Sequence, residues 1–466
     1  MSAVDFAGLR ARLTGELAEP GDPSYDVARP WNSAVVGRPA GVVIAADAND
    51  VRTTVRWAGS HGLRVAVHAT GHGTVSQGDD VVIVHTGRLQ QCTVDPGRRA
   101  ARVGAGVATR RLLDAAHAYS LAAVTGATGT VGVVGHLSGG GVGPLAATLG
   151  AASDHVLALE VVTGDGILRR ATAEENPDLF WAMRGSKAAI GVITAAELRL
   201  CDVWGIYGGA LYFTADHAPR VLRHWARWSA GLPDAYTTSL SLTNVPDLPH
   251  VPAAIAGRYV AVLKIATPAG RDVGADRDRT EARLATVRQV APAVLDSVGV
   301  IPYRDITAVL GDAASPAPVH QDHVLLDALP PESVDAILGA AGPGSGSRLT
   351  TVEIRRLGGK LARPSGHAGA FSRRNSPYSL GITTILDGSA PSIVATADRL
   401  IAAVGPWTAS GVLANFIDTT DPVRITSAYD RATLLRLRRM AEKYDSGGVF
   451  GAPGEVPLRR EDRAGH

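Results

Sequence analysis

The first two hundred residues alternate between short apolar runs and amphipathic stretches. Residues 41–46 form a continuous apolar run of the kind found in buried strands. A helix capped by Asp47 or Asn49 follows, and residues 63–67 then alternate as a strand. This β-α-β order brings the chain into residues 68–74 from the carboxyl end of a strand, where α/β units commonly hold ligands.

Turn residues between alternating segments predict two hairpins farther along this half. Pro96-Gly97 separates the arms of the first hairpin, and Gly164-Asp165-Gly166 separates those of the second. The other elements expected before residue 204 are strands over 81–84 and 191–200 and a helix around 112–116.

A different texture begins near Trp204, where strand-like segments are interleaved with helices. This pattern is typical of an antiparallel sheet with helices on one face. Strands are predicted over 210–213, 259–265 and 349–354, and helices over 217–230, 278–291 and 332–340. The pattern changes again near Ser410 and ends in a helix over about 432–443. We therefore expect three segments, 1–203, 204–409 and 410–466.

The composition is that of a globular chain with a large core. Its 466 residues exceed one ordinary domain, and 45% are hydrophobic but only 19% charged. The formal net charge is +2 and no block of lysine and arginine stands out, so we expect neither a nucleic-acid nor a membrane partner. No apolar leader or bilayer-length apolar run is found, which favours a cytoplasmic protein. The two cysteines match neither a disulfide framework nor a zinc pattern.

Two glycine-dominated loops, residues 67–74 and 125–143, carry the candidate chemistry. Backbone without Cβ atoms can approach a pyrophosphate or lie flat on a ring, so the loops predict contact with a large, flat, anionic ligand. His72 lies between two glycines, and its accessible imidazole can act as a nucleophile toward that ligand. The two loops therefore predict a flavin cradle with His72 as the covalent tether.

Residues 138–143 do not match other nucleotide-binding motifs. A dinucleotide fingerprint needs a strand, G-x-G-x-x-G and a helix in one unit. Here Pro144 follows Gly141 three residues on, and no acidic residue stands in the ribose position. The G-K-[ST] ending of a P-loop is also missing, so neither a nicotinamide nor a nucleoside-triphosphate site is expected.

Five segments in order resemble the berberine-bridge-enzyme-like branch of the vanillyl-alcohol-oxidase flavoproteins. Residues 68–73 (H-A-T-G-H-G) resemble its R-S-G-G-H-S loop, in which the histidine is bonded to the flavin 8α-methyl. Residues 135–141 (G-H-L-S-G-G-G) resemble its G-G-H-x-S-G-G-G loop. The other matches are Tyr25 with residues 29–32 (R-P-W-N), residues 176–185 (N-P-D-L-F-W-A-M-R-G) and residues 444–450 (Y-D-S-G-G-V-F). Five ordered matches are more specific than any single one, and they extend over almost the whole chain.

The resemblance implies an α+β fold, with an FAD-binding domain of the p-cresol-methylhydroxylase (PCMH) type and a substrate domain whose antiparallel sheet carries helices on one face. The residues expected to contact FAD are His68, Ala69, Thr70, Gly71, His72, Gly73, Thr74, Thr128, Thr130, Val131, Gly132, Gly135, His136, Gly139, Gly140, Gly191, Ile193 and Asn415. His68 takes the family's arginine position and is expected to be a partly exposed neighbour of the pyrophosphate. His136 is expected either to bond the glycine loop or to contact the flavin.

Three departures from the family pattern change the expected chemistry. Thr128 stands where many members have a cysteine that forms a second link, so we expect FAD to be attached through His72 only. Leu413 replaces the tyrosine that often serves as the base in the family's Y-x-N motif, so that base is missing or relocated. Residues 188–191 (A-A-I-G) replace the usual G-N-F-G, which affects the flavin contacts nearby.

Three side chains of the substrate domain are candidates for catalysis. In the family the strand containing Glu353 and Arg355 faces the substrate, and a surface ion pair is the alternative interpretation. Tyr378 could replace the missing base if its pKa were lowered, and the alternative is a buried tyrosine that only forms a hydrogen bond.

The resemblance implies an FAD-dependent oxidase that moves a hydride from a small-molecule substrate to flavin N5, with dioxygen as the second substrate and hydrogen peroxide as product. Without a base at position 413, an amine is favoured because a neutral amine has a usable lone pair, but an alcohol, a sugar or a secondary metabolite stays open. Two other classes also stay open, a flavin-dependent cyclase or isomerase without net redox turnover and an inactive flavin-binding scaffold. A monomer or homodimer is expected.

Overall fold

The computed structural model describes residues 4–249, 251–270, 274–307, 315–363, 366–387 and 390–458. The strands are β1 (Glu16–Ala18), β2 (Gly41–Ile44), β3 (Arg64–His68), β4 (Val81–His85), β5 (Cys92–Asp95), β6 (Ala100–Gly104), β7 (Val156–Thr163), β8 (Leu168–Ala171), β9 (Gly191–Arg199), β10 (Gly205–Thr214), β11 (Thr237–Asn244), β12 (Tyr259–Ala269), β13 (Leu295–Asp296), β14 (Gly299–Pro302), β15 (Val319–Leu326), β16 (Thr351–Arg356) and β17 (Tyr378–Ile385). The helices are α1 (Ala7–Arg10), α2 (Ala48–Ser60), α3 (Thr109–His117), α4 (Val133–Ser138), α5 (Ala146–Leu149), α6 (Pro177–Met183), α7 (Ala218–Ala230), α8 (Gly274–Val290), α9 (Pro331–Ala341), α10 (Gly359–Ala362), α11 (Ala390–Val404), α12 (Pro422–Thr426) and α13 (Arg431–Tyr444).

The amino-terminal half forms two small sheets, ordered β1-β2-β4-β3 and β5-β6-β9-β7-β8. The predicted β-α-β order is confirmed, because β3 runs parallel to β4 and β2 runs parallel to β4 on its other side. Asp47 caps α2 by accepting bonds from the N–H groups of Asn49 (2.8 Å) and Asp50 (3.0 Å). Both predicted hairpins form, as the antiparallel pairs β5–β6 and β7–β8.

The second glycine tract is only partly a loop. The sequence predicted a loop throughout, but Val133–Ser138 form the helix α4. Val133, Val134 and Leu137 lie on one side of this helical turn and are all buried, with at most 6% exposure. Their burial outweighs the low helix propensity of the glycine-rich sequence, a tertiary effect that local composition does not report.

The second half forms an eight-stranded antiparallel sheet, ordered β13-β10-β12-β11-β16-β17-β15, with β14 paired to β10. Apolar residues of α7, α8, α9 and α11 share one core cluster with Leu240, Leu263 and Ile354 of the sheet, so these helices cover one face. The predicted α+β class is thereby confirmed. The sequence pattern had not predicted β11, β15 or α11. The residues of β11 that face away from the helices are threonine and serine, which weakens its apolar signal.

The other face of the sheet packs on the amino-terminal half. Leu325 and Leu357 of the sheet region form one cluster with Val142 and Ala146, and Ile206 forms another with Leu113. No helix within the described ranges has the length and apolarity that crossing a membrane would require.

The carboxyl-terminal segment packs into the cores of the amino-terminal half. Val412, Leu437 and Tyr444 belong to the cluster around the five-stranded sheet, whereas Val449 and Phe450 belong to that around the four-stranded sheet. Ala370 of the middle segment also enters the first of these cores. The boundaries at 203/204 and 409/410 stay predictions, and residues 366–374 cross between the segments that they separate.

Two buried arginines hold this crossing segment. Arg184 donates hydrogen bonds to the carbonyl oxygens of His367 (2.9 Å) and Ala368 (2.5 Å). Arg374 forms a bidentate ion pair with Asp154, with N–O distances of 2.7 and 2.9 Å and side-chain exposures of only 9% and 8%. Removing one partner would leave the other charge buried and unbalanced.

We therefore expect Arg374→Met to lower the free energy of unfolding by about 3–5 kcal/mol, the usual cost of breaking a buried ion pair. Urea unfolding followed by fluorescence measures this change. The double variant D154L/R374M should recover part of the loss, because it removes both charges. The matched control is Arg223→Met, whose exposed pair with Asp335 should contribute less than about 1 kcal/mol. Equal losses in R374M and R223M would contradict the assignment.

Candidate functional site

The two glycine-rich loops meet at His72. The Nε2 atom of His72 lies 3.0 Å from the hydroxyl of Thr130, and the N–H of Gly132 donates to the hydroxyl of Thr70 at 3.2 Å. The indole of Trp31 stacks on the His72 imidazole with a centroid distance of 4.8 Å. These contacts fix the ring plane of the proposed tether.

The backbone around His72 is open enough to accept a ligand. Cβ atoms placed on Gly73 and Gly135 would meet no other atom within 4 Å, and Gly73 has a φ of +64° that favours glycine. The Nε1 atom of Trp31 is buried without a hydrogen-bond partner among the described residues. Ala69, Thr74, Thr128 and Val131 lie in the same two loops and are partly exposed. Open backbone and an unused buried donor are features that suit FAD.

Other glycines of the two loops are close to neighbouring parts of the protein. A Cβ on Gly139 would lie 2.6 Å from Asn415, and one on Gly140 would lie 2.6 Å from the ring of Phe371. Gly71 has a φ of +78°, and its carbonyl accepts a hydrogen bond from the N–H of Trp31 at 2.9 Å. Asn415 accepts the N–H of Gly141 at 3.0 Å, so the carboxyl-terminal segment holds the loop in place. FAD contacts by these residues stay predictions, but close packing already explains the lack of side chains.

His68 was predicted to be partly exposed, and this prediction is wrong. The residue is only 5% exposed, at the end of β3 beside His85. Burial, with a further contribution from His85, lowers the pKa of His68 to about 4. Its Nδ1 atom has no hydrogen-bond partner among the described residues. The neutral imidazole therefore cannot supply the positive charge of the family's arginine.

His136 packs between the backbones of Gly126 and Gly141. Cβ atoms on either glycine would come within 3.1 Å of its ring. Its Nε2 atom is buried without a partner in the part of the chain that the structure describes. Burial, followed by the charge of Arg355, lowers the pKa of His136 to about 4. A packing role is thus visible, and a flavin contact stays a prediction.

Gly191 and Ile193 lie at the start of β9. A Cβ on Gly191 would come within 2.8 Å of Val161, and the side chain of Ile193 is buried in the core around the five-stranded sheet. Their side-chain positions therefore face protein, so that only backbone atoms of these two residues could contact FAD.

Glu353 and Arg355 occupy the sheet face that the helices leave uncovered. They form an ion pair of 2.8 Å, and the other carboxylate oxygen of Glu353 accepts from the hydroxyl of Ser239 at 2.7 Å. Both line a pocket with an empty volume of about 460 Å³, open solvent included. Ala127 of the second glycine tract and Pro144, which directly follows the tract, line the same pocket, so it lies between this part of the chain and the sheet. The ion pair of the alternative interpretation is present, with side-chain exposures of 22% and 23%, and contact of these residues with a substrate stays a prediction.

The ionisation of Glu353 limits its chemistry. Burial alone would raise the pKa of this carboxyl, but the charges of Arg355 and Lys264 and the hydrogen bonds from Ser239 and Arg355 lower it to about 2. A carboxylate with so low a pKa is a weak proton acceptor at neutral pH. Glu353 is thus suited to orienting groups in the pocket rather than to general-base catalysis.

Tyr378 is the predicted catalytic residue that the structure contradicts. It begins β17 as predicted, but its ring lies in the core under the helices, 6.2 Å from the centroid of Trp225. Its hydroxyl lies 3.4 Å from that of Ser229. Arg355 pairs with Ser379, the next residue along β17, so Tyr378 points to the opposite face of the sheet. The alternative interpretation, a buried hydrogen-bonding tyrosine, is confirmed.

Three pocket-face residues escaped the sequence analysis. Lys264 and Ser239 line the pocket with Glu353. His323 on β15 is 2% exposed and stacks on Phe416 at 5.2 Å, with both ring nitrogens unpartnered among the described residues. Each belongs to a strand whose register with β16 cannot be read locally. For Lys264 the sequence did contain a signal. β12 was predicted as a strand, and side chains alternate along a strand, so Lys264 and Leu263 are expected on opposite faces of the sheet.

Comparison with known proteins agrees with this geometry. Residues 39–172 match the FAD binding domain family. The chain is 28% identical to (R)-6-hydroxynicotine oxidase of Paenarthrobacter nicotinovorans over 320 residues, which cover 65% of this chain and 64% of that protein. It is 37% identical to berberine bridge enzyme-like 3 of Arabidopsis thaliana over 175 residues, 36% of this chain and 32% of that protein. The chain thus aligns with less than two thirds of the length of either relative.

The fold extends this similarity over nearly the full length. The crystal structure of 6-hydroxy-D-nicotine oxidase from Arthrobacter nicotinovorans gives a TM-score of 0.82 over 96% of this chain and 98% of that chain, at 23% identity. The predicted family resemblance is confirmed: the chain carries an FAD binding domain and is homologous to berberine-bridge-enzyme-like proteins. Relatives of the chain are named as oxidases and as FAD-linked oxidoreductases, which supports an oxidoreductase.

The buried neutral histidines predict a loss of stability in acid. The pKa values of His68 and His136 are about 4 and that of His323 about 3, all below the value of about 6.5 in an unfolded chain. Between pH 6.5 and pH 4 the unfolded state binds more protons, so stability falls as the pH falls through this window. Between pH 7 and pH 5, we expect the free energy of unfolding of His323→Gln to fall by about 2 kcal/mol less than that of the unmutated protein.

Urea midpoints measured at both pH values test this difference. His367→Gln replaces an exposed histidine and should retain the full pH dependence of the unmutated protein. A pH dependence in H323Q as steep as in H367Q would show that His323 is not buried in its neutral form.

Proposed function

We propose that the protein is an oxidase that uses FAD, attached covalently through His72 only, to oxidise a small-molecule substrate with dioxygen. When bound, FAD supplies the acceptor for a hydride from the substrate, and dioxygen then takes up the electrons to give hydrogen peroxide. The observations that carry the proposal are the meeting of both glycine loops at His72 and the pocket between the second glycine tract and the polar face of the eight-stranded sheet.

Residues of the two loops, and residues that contact the loops, would hold the cofactor together. Backbone N–H groups near Gly73 and Gly135 would approach it, because no side chain occupies the space beside them. Trp31 and Thr130 orient the imidazole of His72, so the nucleophile is held in one plane before any bond forms. Asn415 stabilises the second loop by accepting a hydrogen bond from the N–H of Gly141.

The pocket offers no strong proton acceptor at the three positions considered for one. Leu413 is apolar and 2% exposed, and Tyr378 faces the helices. Glu353 stays ionised, with a pKa of about 2. An amine suits such a site, because its neutral form already carries the lone pair that assists hydride loss. We therefore favour an amine over an alcohol or a sugar. Cytoplasmic location and a monomeric or dimeric state stay predictions.

Covalent attachment has a direct test. We expect acid precipitation of the purified protein to leave the yellow colour in the pellet, because a covalent bond survives unfolding. His72→Ala should release the colour into the supernatant, whereas the control His61→Ala, at an exposed histidine, should retain it. A colourless pellet from the unmutated protein would refute the tether without refuting the use of FAD.

Turnover is tested by anaerobic mixing with a panel of amines, alcohols and sugars. An oxidase loses its yellow colour when its substrate reduces the flavin. When air is admitted, the colour returns and hydrogen peroxide is formed. Tyr378→Phe should bleach within about twofold of the unmutated rate, because the phenol lies outside the pocket. Glu353→Gln should leave the shape of the pH–rate profile unchanged between pH 5 and pH 9, because its carboxyl does not titrate there.

The same experiment separates the other classes. Product formation without bleaching or oxygen uptake would instead indicate a flavin-dependent cyclase or isomerase. If no compound bleached the flavin or gave a product, the inactive flavin-binding scaffold would be the remaining class. A new pH dependence in Y378F would return that tyrosine to the list of proton acceptors.

A further inference from the structure

Gly381 of β17 leaves an opening on the pocket face of the eight-stranded sheet. It pairs with Glu353 on one side and with His323 on the other. Residues directly opposite each other in a sheet point to the same face, so all three positions face the side on which Glu353 lines the pocket. A Cβ on Gly381 would meet no other atom of the described chain within 4 Å. The missing side chain therefore leaves space between Glu353 and His323.

Packing does not explain why this strand position is a glycine. Gly205, Gly208 and Gly209 of the same sheet are close to neighbouring strands, because a Cβ on any of them would come within 2.7 Å of a backbone oxygen. Gly381 has no such neighbour among the described residues, and its φ lies outside the left-handed region that favours glycine. A glycine inside a strand weakens the strand and often marks a place that a ligand approaches closely. The glycine thus indicates space for a ligand.

His323 borders this space with an imidazole whose hydrogen-bonding atoms are unused. The side chain is 2% exposed, and neither Nδ1 nor Nε2 has a partner within the described ranges. Phe416 stacks on the ring, with centroids 5.2 Å apart and 23° between the planes. Stacking covers a face of the imidazole, whereas its nitrogens form hydrogen bonds at the ring edge. Phe416 therefore fixes the ring plane and leaves both nitrogens available to a ligand.

The charge state of His323 restricts the kind of partner. Burial, followed by the charges of Arg355 and Arg424, lowers the pKa of His323 to about 3. At neutral pH the ring is therefore uncharged and offers one N–H donor and one nitrogen acceptor. The carboxylate of Glu353 is not its partner, because the two oxygens accept from Ser239 at 2.7 Å and from Arg355 at 2.8 Å. A neutral ring of this kind suits an uncharged group that itself donates or accepts.

We propose that the space over Gly381 is a subsite of the substrate pocket, in which the imidazole edge of His323 forms a hydrogen bond with an uncharged hydroxyl or amide group of the substrate. The inference rests on the proposed function, since it assigns a chemical feature of the substrate of the same site. The group bound there is separate from the carbon and nitrogen that would be oxidised. A substrate without it would leave a buried polar group unpaired, which is the basis of selection.

A matched pair of probes tests the proposal without turnover. Phenol and toluene have nearly the same shape and differ in one hydroxyl group, and calorimetry on the FAD-loaded protein gives the affinity for each. The measured quantity is the ratio of the affinity for phenol to that for toluene. We expect His323→Phe to lower this ratio about tenfold, because phenol loses its hydrogen bond while the new ring still stacks on Phe416.

A second variant fills the space and leaves the imidazole in place. Gly381→Val should weaken the binding of both probes at least about tenfold, and the fold should be retained because valine favours strands and its Cβ meets no described atom. The matched control is Gly299→Val. Gly299 is also a strand glycine with open space at its Cβ, but β14 lies near the opposite edge of the sheet, so both affinities should stay unchanged.

Three results would overturn the proposal: an unchanged ratio in H323F, unchanged affinities in G381V, or no saturable binding of phenol to the unmutated protein. A changed visible flavin spectrum in H323F together with an unchanged ratio would assign the imidazole to the cofactor instead of the substrate.

Failure of the proposed function gives a different result. A protein that holds FAD and selects phenol through His323 but is reduced by no substrate would retain the subsite and lose the oxidase assignment. A protein that is reduced as readily by amines without a hydroxyl or amide group as by amines with one would retain the oxidase and lose the subsite.

Discussion

Alternation along the strands of the eight-stranded sheet is the constraint on which the site depends. Successive side chains point to opposite faces. Leu240, Leu263 and Ile354 face the helices, whereas Ser239, Lys264 and Arg355 line the pocket beside the second glycine tract. A slip of one residue between strands would exchange the faces and place charge in the core. The apolar burial under the helices thus fixes the register that builds the pocket.

Contacts from three parts of the chain then keep the polar face opposite the loops. Arg184 and the Arg374–Asp154 pair hold residues 366–374 against the five-stranded sheet and its helices. Asn415 holds the glycine tract through Gly141. Because the pocket lies between surfaces from different segments, its shape depends on this docking rather than on any single loop.

The electrostatics of the pocket follow from the same arrangement. Arg355 lies close enough to affect His136, Glu353 and His323, which belong to three different elements. The imidazoles stay neutral and the carboxylate stays ionised, so none of these groups is a strong base at neutral pH. Under the proposed function these residues would orient the substrate, and the oxidative chemistry would belong to the FAD.

Local sequence determined those features that depend on neighbours in the chain. The capped helix α2, both hairpins and the loop with His72 were predicted because turn residues and apolar spacing act over a few positions. The ordered motifs also predicted the FAD binding domain that the comparisons confirm, whereas the contact between the two loops at His72 is seen only in the structure. Glu353 and Arg355 were expected at the pocket through the resemblance rather than through any local pattern.

Tertiary structure alone decided which way the remaining side chains point. Tyr378 and Ser379 are adjacent in sequence, yet only the register with Arg355 and Arg356 puts the first under the helices and the second on the pocket face. His68 is buried because β4 brings His85 beside it, and Val133–Ser138 are helical because their apolar side chains meet a core. Lys264 joins Arg355 only across an intervening strand from elsewhere in the chain. Such neighbours are set by long-range packing, whose energy does not appear in any short window of sequence.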